Sequence, residues 1–405
     1  MNRAERKSRK HFDLKNCAVI AAMAALALSL AQPAPAASPK DAAIPKPELA
    51  QQSTASDGDK TLSAMQDELD RSRQRLELKI PGTDQPVHPY YVQYRVLDLD
   101  VRTIVAEFGA LISSTSGRNR IMSVDVRVGD YNLDSSNFIT DEGFSGFLGS
   151  TGTVGIDRDY DSLRQDLWLA SDQAFKAAVE NLSKKQAFVS RLAKAPSIPD
   201  FSNSSPTTSV EPLREPDWTT RNWEQEAKSV SAALRAFPQL YSSRVTYHLI
   251  YTTSYLLNSE GTKIRANHSL AAVEASLETE SDDGMPLHNY YAVYRSRPDE
   301  LPVADTVRKA LQQAGEDLIT LRVSPPAADY DGPVLFEAPA AGSLLAQMLG
   351  PSISGARGPL ATQSGFEQLM DRLGGRSEWT GKIGARVLPA SVSVIDDPTA
   401  KQFGG

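Results

Sequence analysis

The residues best able to hold a metal or activate a nucleophile are few: five histidines and one cysteine in 405 residues. His88, His248, His268 and His288 stand more than five residues from one another, and no H-E-x-x-H occurs. A catalytic zinc needs three protein ligands converging at about 2.0–2.3 Å. His248 and His268 fall on neighbouring expected strands, so the fold could bring them together with carboxylates. Strand histidines without a metal are the commoner case. Gly342-Ser343 lacks the strand-turn-helix setting and closing glycine of a nucleophile elbow. The Gly-rich stretches 141–155 and 350–358 carry no following Lys-Ser or Lys-Thr, which argues against a phosphate loop. Asp396-Asp397-Pro398 could offer oxygen ligands to a cation, but an Asx turn fixed by proline is the favoured reading. Arg118 and Arg120 beside the aromatic strand at 90–94 could suggest nucleic acid. A hairpin tip and a packed sheet face explain them better.

The one cysteine, Cys17, borders the only apolar run near the N-terminus. Arg3, Arg6, Lys7, Arg9, Lys10 and Lys15 precede that run, residues 18–30, and Ala34-Pro35-Ala36 follows it. A basic start, a short apolar stretch and an A-x-A end predict a secretory signal peptide over residues 1–36, and thus a periplasmic or secreted protein. A short membrane anchor is the alternative. Removing that segment, with its six basic and two acidic side chains, turns the formal charge from −7 to −11. The exported chain then has no thiol, so it can form no disulfide and its core must stabilise it. A thiolate nucleophile or ligand is excluded too.

Hydrophobic residues make up 40% and charged residues 23%, which excludes wholesale disorder. No run of 18 apolar residues is present, so no spanning helix is expected after cleavage. The acidic balance makes nucleic acid an unexpected partner.

Residues 37–60 have the Ala, Pro, Lys, Gln and Ser content of a solvated tether. Leu62, Met65, Leu69 and Leu76 share one helical face, with Ser63 and Gln66 at capping-box spacing, an Asp67–Arg71 pair, and a stop before Pro81-Gly82. From Tyr90 the period becomes two. Strands are expected at 90–96, 102–108 and 122–128, with a turn at Gly117-Arg118-Asn119 and an end at Gly129-Asp130-Tyr131. Residues 135–155 read as a loop, 162–192 as a helix, 195–217 as a linker and 219–237 as a helix. A second meander covers 243–280, with a tight turn at Asn258-Ser259-Glu260-Gly261, and a further strand lies at 290–295. A helix at 301–314, a strand at 333–336, a helix at 340–349 and a strand at 390–395 complete the reading. The fold class is α+β: an α/β domain with antiparallel meanders and flanking helices, then the start of a β-rich domain.

Four segments, in order, resemble the TldD/PmbA family: Val126-Arg127-Val128-Gly129-Asp130-Tyr131, Tyr255-Leu256-Leu257-Asn258-Ser259-Glu260-Gly261-Thr262, Tyr330-Asp331-Gly332-Pro333-Val334-Leu335-Phe336-Glu337 and Val394-Ile395-Asp396-Asp397-Pro398-Thr399. The resemblance implies an N-terminal domain over 61–325, with 135–235 as a family-variable insertion, and a partial C-terminal domain over 326–405. In active members of this metallopeptidase-related family, an H-E-x-x-x-H helix after the GPVL-like strand supplies two zinc ligands and a glutamate base. A cysteine farther on completes the site. Here Phe336 and Ala341 stand at the histidine positions and only Glu337 remains, as a vestigial catalytic residue. Neither replacement has a lone pair to give. Glu337 without a metal has no acidified water to deprotonate, and it is as well explained as a charge favoured at a helix start. The family pattern continues past the DDPT segment, so the resemblance also implies a C-terminally truncated chain.

The resemblance therefore implies an exported, PmbA-like protein without a zinc ligand set. It would hold no cofactor itself, acting on unfolded peptides beside a zinc-bearing TldD-like partner or as a homodimer. The alternatives are a zinc metallopeptidase with ligands such as His248 and His268 outside the usual motif, and a truncated non-enzymatic fragment.

Overall fold

A computed structural model of the chain describes residues 58–79, 86–139, 150–155, 159–192, 198–327, 329–353, 359–362, 379, 382, 384–395 and 397. The expected signal peptide, and all but the last residues of the expected tether, lie outside the described residues. Among the described residues no helix is long and apolar enough to cross a membrane.

The architecture is α+β. Strands β1 (Pro89–Glu107), β2 (Ala110–Val128), β4 (Ser150–Val154), β6 (Ser242–Asn258) and β7 (Lys263–Glu280) form an antiparallel sheet in the order β4-β2-β1-β6-β7. Two strands share the outer edge of β7: β8 (Pro286–Arg295) runs antiparallel to it, and β5 (Thr208–Val210) parallel. A separate two-stranded pair joins β3 (Phe138–Ile139) to β9 (Leu360–Ala361). The stretch 135–235 supplies β3, β4, β5 and the helices α2 (Tyr160–Val189) and α3 (Trp223–Ala232).

One face of the sheet carries the helices, in two groups over two separate cores. At one end Val92, Tyr94 and Val96 of β1 pack with Tyr255 and Leu257 of β6, beneath α1 (Lys60–Arg75) and α2. At the other end Ile104 and Ala106 pack with Val245, Tyr247 and Leu249, beneath α3 and α4 (Ala304–Arg322). Both groups of β1 side chains have even numbers, which the period of two places on one face. A chain this long needs a large apolar interior, and it builds two along the same long strands.

Several expectations are corrected. Gly117-Arg118-Asn119 is not a turn but the middle of β2. The β1–β2 reversal is Phe108-Gly109, with φ +45° and +82°. A two-residue primed hairpin turn needs positive φ at both positions, and phenylalanine gives no signal for that. The turn is held from outside: Ser243 Oγ accepts from Phe108 N, Ser231 Oγ accepts from Gly109 N, and Arg235 Nε donates to the Phe108 carbonyl. The cap of α1 is Asp59, whose carboxylate accepts from Thr61 N and Leu62 N, so Ser63 lies inside the helix. Arg71 pairs with Glu68, not Asp67, whose carboxylate accepts from the Tyr160 hydroxyl. Residues 333–336 and 390–395 form no strand, and α5 (Ala338–Ile353) follows the former directly.

Gly129 ends β2 as expected, with φ +108°. A Cβ there would sit 2.4 Å from the Leu133 carbonyl oxygen, a backbone atom that cannot rotate away. Gly129→Ala is therefore expected to cost about 1–3 kcal/mol, from strain and the forced backbone shift. Urea titration followed by circular dichroism would measure it; an unchanged midpoint would contradict this geometry.

Candidate functional site

Between the two cores a belt of charge crosses the helix-covered face. Asp98 and Asp100 interrupt the apolar alternation of β1 and are buried. Asp98 faces Arg120 of β2, which donates from Nε at 2.5 Å and from Nη2 at 2.7 Å. Arg120 Nη2 also reaches Thr61 Oγ1 at 3.0 Å. Burial opposes the Arg120 charge, but the bonds and charge of Asp98 outweigh it and leave the guanidinium pKa raised. Beyond it, Arg265 of β7 donates at 2.6 Å to Asp59, the same carboxylate that caps α1, and its Nε donates to the Glu211 carbonyl. Asp100 pairs with Arg118 at 2.6 Å at the belt's rim. Arg118 and Arg120 are thus sheet-face partners of carboxylates, and the hairpin tip lies elsewhere. Such a belt, with its ions engaged, fixes the start of α1 on the sheet.

At the far end of the sheet two of the family-like segments meet. Tyr131 donates to Glu260 Oε1 at 2.6 Å, joining V-R-V-G-D-Y to the N-S-E-G turn. That bond to Glu260 pushes the Tyr131 hydroxyl up to about 12. The Ser259 N–H bonds the Val92 carbonyl, and Ser259 Oγ accepts from Val92 N. The turn at 258–261 is present as expected, with Gly261 at φ +103°. Behind it Lys185, wholly buried on α2, donates to the Asp134 and Ser136 carbonyls and to Asp200 Oδ2 at 2.5 Å. Arg127 lies over the Phe201 ring at 4.0 Å. No local sequence pattern marks Lys185 or Asp200, because a helix and a remote loop make this site together.

The second face of the sheet holds His248 and His268. The strand register sets His248 opposite Ala272 and His268 opposite Thr252. They are four residues out of step, about 13 Å along the strands, too far to share a metal, and this corrects the expectation that the fold could pair them. His248 instead lies between Thr103 Oγ1, at 3.5 Å from Nδ1, and Glu274, at 3.9 Å from Nε2. Glu274 accepts from Tyr294 at 2.6 Å, and Tyr294 lies 3.3 Å from the Tyr290 hydroxyl. Burial holds the His248 pKa below the ordinary 6.5, with Glu274 partly opposing. The unfolded chain therefore binds this proton more readily, so the imidazole's contribution is complete above pH 6.5 and is lost as pH falls. His248→Gln is expected to flatten that part of the acid limb in thermal melts. An unaltered acid limb would show that the group titrates normally.

Glu337 is exposed and lies directly before α5; its carbonyl accepts from Ala340 N and Ala341 N. The structure thus places it at the helix start. Phe336 and Ala341 bracket that first turn with carbon alone, so a zinc of the kind expected in active members of the resembled family does not fit this segment. Among the described residues no group of three His, Cys, Asp or Glu side chains could hold a metal ion. Asp397 lies in irregular chain, and Asp396 lies outside the described residues.

No family model and no curated protein matches the sequence. Among solved structures, the chain is similar to a proposed modulator of DNA gyrase from Thermotoga maritima, at 14% identity and TM-score 0.34, over 59% of this chain and 46% of that one. It is similar to TldE from Thermococcus kodakarensis, at 9% identity and TM-score 0.36, over 63% and 47%. A proposed modulator of DNA gyrase from Bacteroides thetaiotaomicron gives 9% identity and TM-score 0.37, over 64% and 50%. The chain thus spans about half the length of each, at scores and identities that do not by themselves assign a family.

Proposed function

We propose that this chain is an exported, TldD/PmbA-like protein of the kind without zinc ligands, which captures unfolded peptides and leaves their cleavage to a zinc-bearing partner. The observation that carries the reading is the composition of the α5 start: Phe336 and Ala341 where the family-like pattern calls for ligands, around an exposed, solitary Glu337. The order of the four family-like segments supports it, as does the Tyr131–Glu260 bond that ties two of them together.

A capture surface of suitable kind is available. Strand β4 pairs with β2 only over residues 120–124, so among the described residues the outer edge of 110–119 pairs with no strand. Leu111 and Ile112 are exposed there. An edge of this length offers a peptide a row of backbone donors and acceptors, whatever its sequence.

Fluorescein-labelled casein tests the reading. The purified chain is expected to raise its anisotropy without cleaving it, with or without chelator. Ile112→Lys, a charge on the edge, is expected to weaken binding several-fold. Cleavage by this chain alone, abolished by chelation, would overturn the reading.

A further inference from the structure

Four metal-ligating side chains meet on the sheet face opposite the helices. His248 of β6 sets its Nε2 3.9 Å from Oε2 of Glu274 on β7. The other carboxylate oxygen, Oε1, accepts from Tyr294 of β8 at 2.6 Å, and the Tyr290 hydroxyl lies 3.3 Å from that of Tyr294. Across β7, Tyr290, Ala292 and Tyr294 stand opposite Ser276, Glu274 and Ala272. The two tyrosine backbones are therefore four residues, about 13 Å, apart. Their side chains nonetheless lean toward each other past the small Ala292 and bring both hydroxyls beside Glu274. Both tyrosines stay about half exposed, so burial of the rings does not account for this convergence.

We propose that His248, Glu274, Tyr290 and Tyr294 together bind a ferric ion. One carboxylate and two phenolates carry three negative charges, which balance the charge of the ion, and the imidazole adds a neutral nitrogen of a kind that suits iron. Each phenol passes its proton to solvent as its oxygen binds, so loading releases two protons. Octahedral bonds of about 2.0–2.1 Å to a small hard cation place its donors about 2.8–4.2 Å apart. The 3.3 and 3.9 Å separations fall in that range, and the 2.6 Å contact needs only to widen slightly as the ion replaces its proton. Burial holds the His248 pKa below 6.5, which leaves the ring a lone pair at neutral pH. Burial also holds both hydroxyls above their ordinary 10, and Glu274 adds to this at Tyr294. Only a strongly polarising cation displaces such protons. Zinc, with both phenols still protonated, meets only His248 and Glu274, short of the three protein ligands of a catalytic zinc. The cluster lies across the sheet from the edge at 110–119, and the proposal does not rest on peptide capture.

Ferric nitrilotriacetate titrated into the full chain tests the site. A phenolate-to-iron charge-transfer band in the visible is expected, saturating at one iron per chain. Tyr290→Phe and Tyr294→Phe keep the rings and remove one oxygen each. Each is expected to diminish the band and to weaken binding by more than about tenfold, since losing an outer-shell partner alone costs about 10–100-fold. The double variant should show no band. His248→Gln is expected to weaken binding while retaining the band, and Tyr330→Phe, at an exposed tyrosine outside the cluster, to leave both unchanged. Three results would overturn the proposal: no visible band, a band that persists in the double variant, or an affinity unmoved by His248→Gln.

Discussion

Arg265→Met is expected to destabilise the protein by about 3–5 kcal/mol, because it strands the buried Asp59 carboxylate while keeping most of the side-chain volume. The guanidinium and carboxylate are 2.6 Å apart, with side chains 2% and 5% exposed. Asp59 also caps α1, so the start of that helix should lose amide-exchange protection before the rest of the sheet does. Adding Asp59→Asn removes the stranded charge and retains an oxygen for the cap. The double variant should therefore recover a large part of the loss. A single-variant loss below about 1 kcal/mol, the range of an exposed pair, would mean that the belt is solvated.

Lys185→Met should cost a similar amount, about 3–5 kcal/mol. The ammonium satisfies two backbone carbonyls besides Asp200, and Asp200 Oδ2 also accepts from Asp134 N. Converting Asp200 to leucine as well should restore only part of the stability, since the Asp134 and Ser136 carbonyls lose this donor in both variants. Urea unfolding of the wild type, both single variants and the double variant would apportion the terms. Full restoration by the double variant would show that the carbonyls contribute little.

How much of this was legible in the sequence follows from where the determinants sit. The period of two announced β1, β6 and β7, and the positions of Leu62, Met65 and Leu69 announced the buried face of α1. The tight turn at 258–261 was legible because Asn and Gly carry its backbone chemistry locally. The Phe108-Gly109 turn was not, since its positive φ is held by Ser231, Ser243 and Arg235 far along the chain. Gly117-Arg118-Asn119 misled for the converse reason: local turn chemistry yields to a nineteen-residue strand paired with β1 over its whole length. The short strands at 333–336 and 390–395 rested on apolar content alone, with no pairing partner among the described residues to fix them. At the candidate site, the absence of ligand side chains at 336 and 341 was plain from residue types. The misalignment of His248 and His268 needed the register, which no count of strand residues supplies.

The most direct measurement of the account is the zinc content of the purified chain, by plasma mass spectrometry after exposure to excess zinc and exhaustive dialysis. The account predicts far less than one zinc per chain, the same in Glu337→Ala as in the unaltered protein. One tightly held zinc per chain, lost on replacing Glu337 or His248, would contradict it.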